Sequence, residues 1–255
     1  ILGSDNSFAY ADKGTISTLE KLSLKDVIEF YSANYGPSNA DVIVVSNLAE
    51  NEISKSLKTL DVWQGKSSPM PAINPFPELQ AGTLYFIDKP EAAQSEIRIG
   101  KRALKYDSVG EYYRADLMNY NLGGAFNSRI NLNLREDKGY TYGARSFFYG
   151  NDFYGFYRAQ AGVRADTTAD SIVQFRNEIS AFGAQGLTVK ELEFVKSAIG
   201  QRDARNYETP RQKLSFLSEI MTYNLDKGFV DKQNEILEKV SIEELSGLAA
   251  KHLKL

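Results

Sequence analysis

The sequence predicts an α+β layer fold, a mixed β-sheet packed against helices. Three observations carry that prediction. Short β-branched and aromatic runs lie in the first two-thirds of the chain, helical periodicity fills residues 167 to 252, and strand and helix never alternate as a parallel crossover fold requires. With 255 residues, 42% of them hydrophobic, the chain has the material for one large core or two modest ones.

The elements follow in order. "SLKDVIEFYSANYGPSN" spaces Leu24, Val27, Ile28 and Tyr31 as one helical face behind a cap at Ser23, and Gly36 with Pro37 stops it. "ADVIVVSNL" predicts a strand too apolar for a sheet edge, and "AENEISKSLKTLDVW" a helix with Ile53, Leu57 and Leu60 on one side. Residues 64–82 hold four of the seven prolines and predict an extended surface connection. "TLYFID" and "SEIRIGKRAL" predict strands. Gly110 to Asp137 is helical in pattern, broken at "GGAFNS" by Gly123 and Gly124, with Asn127 or Ser128 capping the second piece. "YTYGARSFFYG" and "FYGFYRAQAGVR" predict a hairpin about Gly150, Asn151 and Asp152. Simple alternation in its first arm puts Tyr140, Tyr142 and Ala144 on one face and Thr141, Gly143 and Arg145 on the other. Helices then follow one another to His252, with capping-box spacing at Thr188/Glu191 and Ser241/Glu244.

Composition excludes several function classes. Thirty Lys and Arg against 33 Asp and Glu, interspersed, argue against nucleic acid as the main partner, and the 15 tyrosines and 14 phenylalanines lack an accompanying basic stripe. No apolar run reaches the roughly 20 residues of a membrane-spanning helix. Without cysteine there are no disulfides, thiolate nucleophiles or cysteine metal sites. Zero cysteines favour export to a bacterial periplasm and are compatible with a cytoplasm. A start at Ile1 within polar, loop-like sequence reads as an excerpt from a longer precursor.

His252 is the single histidine, so an HExxH zinc site or its inverse, which needs two, is beyond this chain. A Ser-His-Asp triad would have to run through His252, which reads instead as a solvent-facing helix residue. Glu136 and Asp137 are neighbours that diverge by about 100° on a helix and do not converge as an acid/base pair.

Four segments together carry a resemblance. "EAAQSEIRIG", then "LGGAFNSRINLNLREDKGYTYGARS", then "LTVKELEFVKS", all preceded by "GSDNSFAYADKGTISTLEKLSLKDVIEFYSANYGPSNADVIVV", resemble the second, zinc-free domain of the pitrilysin and insulinase family of zinc metallopeptidases. The resemblance implies that residues 1–40 end the preceding zinc-binding domain and its junction, and that residues 41–255 form the zinc-free substrate-binding domain. It implies two homologous domains facing each other across a peptide-holding chamber, the partner domain lying in the same chain or a separate subunit. It implies no metal or cofactor here, with zinc in the partner. Arg135 and Tyr142 match the family's arginine and tyrosine, which hold the substrate backbone and stabilise the oxyanion; Arg129 and Tyr140 are secondary candidates for substrate contact.

The residues themselves support that match. Arg135 follows Leu134, which pairs with Ile130 at i and i+4, so its guanidinium falls off the apolar stripe. Arg129, six residues upstream of Arg135, reads more readily as the anchor of the helix start or of a carboxylate. Tyr140 would line the chamber or widen its apolar floor. Two rival readings stand beside the peptidase domain: a non-catalytic scaffold or assembly subunit of the same fold, as in respiratory-complex core proteins, and a standalone peptide-binding module.

Overall fold

The structure, a computed structural model, describes residues 2–3, 6–65, 73–78, 82–203 and 207–254. The chain divides into two compact units, residues 79–207 with 219–255, and residues 2–78 with 208–218.

In the unit of residues 2–78, three short helices form: α1 (Ile16–Leu19), α2 (Leu24–Asn34) and α3 (Glu50–Leu57). Ser23 caps α2 as its sequence requires, its hydroxyl accepting from Asp26 N while the Asp26 carboxylate accepts from Ser23 N at 2.8 Å. The run 40–48 does not become a strand, because a strand exists only as part of a ladder and none includes it among the described residues. The predicted strand at 83–88, in the other unit, likewise joins no ladder among the described residues; Leu84, Tyr85, Phe86 and Ile87 all stay exposed. Of the expected surface connection at 64–82, residues 66–72 and 79–81 lie outside the described residues, and 73–78 has no regular structure.

The larger unit is built on three strands, β1 (Gln94–Arg102), β2 (Thr141–Gly150) and β3 (Gly155–Arg164), in the order β1-β3-β2. Every pair is antiparallel, so the sheet is not mixed as the sequence suggested. The predicted hairpin joins β2 to β3, its turn closed by the Asn151 carboxamide oxygen, which accepts from Phe153 N and Tyr154 N at 2.9 Å each. The unit's helices are α4 (Glu111–Asn119), α5 (Arg129–Asn131), α6 (Thr168–Gln185), α7 (Val189–Asp203), α9 (Phe229–Lys239) and α10 (Ile242–His252), while α8 (Pro210–Tyr223) begins in the smaller unit and ends in this one. Wider π-helical turns continue α4 through Gly124 and α5 through Asp137.

One face of the sheet is buried. Ile97, Ala144, Phe148, Tyr157, Ala159, Ala161 and Val163 meet Phe175, Ile179 and Phe182 of α6 and the inner faces of α4 and α10. The alternation that makes this face is strict in β3, where every second residue from Gly155 to Val163 is buried. The opposite face carries Arg98, Arg145, Phe147, Tyr149, Arg158 and Gln160.

Strand β2 is a sheet edge, yet side chains satisfy its outward backbone groups. Asn119 donates to Ser146 O at 2.8 Å and accepts from the Ser146 hydroxyl at 2.6 Å; Asn131 accepts from Ala144 N at 2.9 Å; the Tyr112 hydroxyl donates to Phe148 O at 3.2 Å. Two amides and a phenol take the place of a fourth strand. Gly123 makes the approach close: a β-carbon there would overlap the backbone N and side chain of Ser146. Ser128 occupies the predicted cap position of α5, but its buried hydroxyl has no hydrogen-bond partner.

Gly123→Ala is therefore expected to cost about 1 to 3 kcal/mol in urea unfolding. Gly124→Ala, whose nearest neighbour would lie at an ordinary 3.4 Å, is expected to cost less than half as much.

Candidate functional site

The segment that joins the end of the α5 helix to β2 carries both predicted site residues. Asn131, one helical turn before Arg135, is bonded to Ala144, two residues after Tyr142. Between them Gly139 adopts φ 63°, where its N–H bonds Arg135 O at 3.1 Å and Tyr140 N bonds Leu134 O at 2.9 Å. This glycine ends the helix and turns the chain into the strand, which is what the seven-residue spacing of Arg135 and Tyr142 spans.

Register then decides where Tyr142 points. Thr141 is paired with Val163 and Ala144 with Ala161, so Tyr142 and Gly143 together oppose the single residue Gly162. The extra residue is a β-bulge. It is pinned by the Thr141 hydroxyl, which donates to Gly162 O at 2.7 Å and lies 3.1 Å from Gly143 N. Simple alternation is thereby broken: Thr141 and Ala144 turn toward the helices, while Tyr142, Gly143 and Arg145 turn to the open face. Tyr142 is 91% exposed, more than any other tyrosine or phenylalanine of the described residues.

Arg135 stands beside the apolar stripe as expected, with Ile130 and Leu134 fully buried. Its guanidinium lies 4.4 Å from the centre of the Phe126 ring and its Nε 3.3 Å from the neighbouring Glu136 carboxylate. Among the described residues no hydrogen bond joins Arg135 to Tyr142. Each is left with free donors, the phenol in solvent and the guanidinium stacked on a ring that orients it.

The two secondary candidates are engaged within the fold. Arg129 makes a two-point ion pair with Glu191, at 2.7 and 2.8 Å, donates to Gly186 O at 3.1 Å and stacks at 4.6 Å on Phe182. This is the carboxylate anchor that its sequence position allowed. Tyr140 packs against the core and donates to Asp170 at 2.9 Å, a bond that raises its phenol above the usual range. It stands just before the first residue of β2, whereas Tyr142 lies within the strand.

His252 corrects its sequence reading. Its side chain is only 12% exposed, bonded to the Glu111 carboxylate at 2.5 Å and set edge-on to Phe148. It belongs to the packing of α10 on α4, not to the solvent. Among the described residues no group of three or more His, Cys, Asp or Glu converges as a metal site.

The chain matches the family model of the peptidase M16 inactive domain over residues 21–199. It belongs to that family. The M16 inactive domain described here is 23% identical over 247 residues to the "uncharacterized zinc protease YmxG" of Bacillus subtilis, covering 96% of this chain and 59% of the relative. It is 21% identical over 263 residues to the "non-peptidase homolog YmxG" of Helicobacter pylori, covering all of this chain and 58% of that protein. The chain thus spans less than two-thirds of the length of these curated relatives. Among solved structures, a peptidase M16 inactive domain from Pseudomonas fluorescens superposes with a TM-score of 0.80 at 20% identity, over 97% of this chain and 58% of that one. A Helicobacter pylori protease gives 0.79 at 19%, over 94% and 59%.

Sequence reasoning missed the residues that set the geometry of the candidate site. Asn119 and Asn131 were visible as amides inside apolar helical runs, the one signal available for a buried polar contact. No sequence period announces the bulge.

Glu191 gives the M16 domain a predictable acid response. Burial raises its carboxyl, but hydrogen bonds from Arg129 and from Thr188 outweigh that and hold it below the ordinary value. A lowered folded-state value stabilises the fold above the unfolded pKa of about 4.3, and that stability is lost as pH falls below it. Urea unfolding between pH 5 and 3 is expected to show a steeper loss for the wild type than for Glu191→Gln.

Proposed function

We propose that this chain is the substrate-binding half of a zinc peptidase site, with Tyr142 and Arg135 as the residues that hold the peptide and steady its oxyanion. The single observation that carries the reading is the bulge at Tyr142. Two residues opposite Gly162 turn a phenol out of a hairpin, where it is unpaired and exposed, beside a helix end fastened to the same strand. Nothing in the packing of the fold uses that hydroxyl.

The chemistry asked of the pair is donation. As a scissile carbonyl becomes tetrahedral, its oxygen gains charge, and the Tyr142 O–H can donate to it. The Arg135 guanidinium, planar and held against Phe126, can donate to a neighbouring backbone carbonyl. One such donor is worth about 10² to 10³ in kcat. Neither group breaks a peptide bond by itself. The zinc that the family implies finds no fitting donor set in this chain, which has one histidine, already bonded to Glu111, and no cysteine. Its coordination is assigned to a homologous partner domain, in the same polypeptide or a separate subunit, so this chain alone is expected to be inactive.

A second reading is favoured by one observation. The Helicobacter pylori relative bears the name of a non-peptidase homolog, which keeps the scaffold role in view. The two readings differ in what Tyr142 does. In the intact protein Tyr142→Phe is expected to lower kcat for peptide hydrolysis by roughly 10² to 10³ while moving KM by less than about threefold. An unchanged kcat overturns the oxyanion role, and an intact protein with no peptidase activity supports the scaffold. The isolated chain is expected to retain no stoichiometric zinc by elemental analysis; turnover by that chain, abolished by a chelator, would contradict the assignment of the metal to a partner.

A further inference from the structure

The open face of the sheet gathers arginines that the sequence scatters. Arg98 of β1 and Arg145 of β2 are both paired in register with Gln160 of β3, so the three residues form one row across the sheet. Arg158 stands in the next row, opposite Gly100 and Phe147. Arg114, Arg129, Arg135 and Arg164 each hold a carboxylate, whereas among the described residues no carboxylate is paired with Arg98, Arg145 or Arg158. Instead the Arg158 guanidinium lies 4.8 Å from the Phe147 ring centre and 5.5 Å from that of Phe156, and Arg145 lies 5.9 Å from Phe147.

This grouping is unfavourable for the chain as it stands. The Nε of Arg158 is buried without a hydrogen-bond partner. Burial, and then the charges of Arg98 and Arg145, push the Arg158 guanidinium below its ordinary value. An anion over these three arginines would offset the repulsion among them. The carboxylates nearest the patch stand at its margins: Glu96 lies one row away, opposite Gly162, and Asp116 lines the same cleft as Arg145 and Phe147.

Position selects the anion. Tyr142 and Gly143 share the row of Glu96 and Gly162, so the phenol stands one row from Arg98, Gln160 and Arg145 on the same face. Rows on one face of a sheet are about 7 Å apart, the span of two residues of an extended peptide. Three guanidiniums within two rows make a compact patch, bounded by Glu96, and not the continuous track that a phosphate backbone needs. We infer that Arg98, Arg145 and Arg158 form a subsite for an acidic side chain of a peptide, two or three residues from the bond that faces Tyr142. The inference rests on the reading of Tyr142 as the point where the peptide is gripped.

Fluorescence anisotropy with the intact protein tests it. The probes are a labelled unstructured peptide with a Glu-Glu-Asp run and its Gln-Gln-Asn counterpart. At low salt the wild type is expected to bind the acidic peptide about tenfold more tightly, with the preference shrinking as salt rises. Arg98→Gln combined with Arg145→Gln, both at exposed positions, is expected to bring the ratio near one without changing the thermal melt. Arg145→Glu is expected to turn the preference toward a Lys-Lys-Lys counterpart. Equal binding of both peptides by the wild type, or an unaltered ratio in the double variant, overturns the subsite. So does displacement of the acidic peptide by a single-stranded oligonucleotide at lower concentration than by unlabelled acidic peptide. Kinetics separate the two proposals: an acidic preference lost in the double variant, with kcat unchanged in Tyr142→Phe, supports the charged subsite and refutes the oxyanion role. Loss of kcat in Tyr142→Phe without any acidic preference refutes the subsite alone.

Discussion

The hydrogen bond from Ala144 N to the Asn131 side chain is the contact on which the site depends. It closes a backbone group on a sheet edge that would otherwise face a helix without a partner, and it fixes the helix carrying Arg135 to the strand carrying Tyr142. Asn119 does the same work two residues further along, at Ser146, where Gly123 allows the close approach. The edge is sealed against pairing with another strand while its open face stays free. A polar constraint of this kind specifies one register, since a slip of a single residue would leave two buried amides and two backbone groups unpaired.

Arginines divide by what the fold does with them. Arg129 is paired at two points with Glu191, which also caps the start of α7, so one carboxylate joins a helix terminus to the α5 segment. Arg114 bridges α4 to Glu244 at the start of α10. These ion pairs link elements distant in sequence. On the open face, Arg98, Arg145 and Arg158 link nothing, and that contrast gives the face its character. The rings of Phe147 and Phe156 hold the Arg158 guanidinium, and Phe147 also faces that of Arg145, without neutralising either.

Membership of the M16 inactive-domain family and the donor set of this chain agree in one respect. A fold that spends its only histidine on Glu111 and has no cysteine offers its chemistry through hydroxyl and guanidinium donors. In the proposed function, donors of that kind bind and polarise, and the remaining groups of the site come from a partner domain. The exposed, unpaired phenol of Tyr142 is the feature of the sheet that packing does not explain.

The α+β class, the hairpin, α2 with its cap at Ser23, and the helices from residue 168 onward with caps at Thr188 and Ser241 were legible in the sequence, because periodicity and capping are local and each is written in a few neighbouring residues. The motif around Arg135 and Tyr142 was legible through the family resemblance. What pairs with what was not. Residues 40–48 and 83–88 have strand composition but no ladder, since composition cannot supply a neighbour. Alternation assigned Tyr142 to the same face as Ala144, and a bulge held by Thr141 and Gly162 parted the two. His252 read as solvent-facing on a terminal helix, and packing of that helix on α4 buried it. The sequence alone determined which elements form and which residue types are available. Tertiary structure decided which face each side chain takes and which arginines remain unpaired, because both depend on cross-strand register and on contacts between residues far apart along the chain.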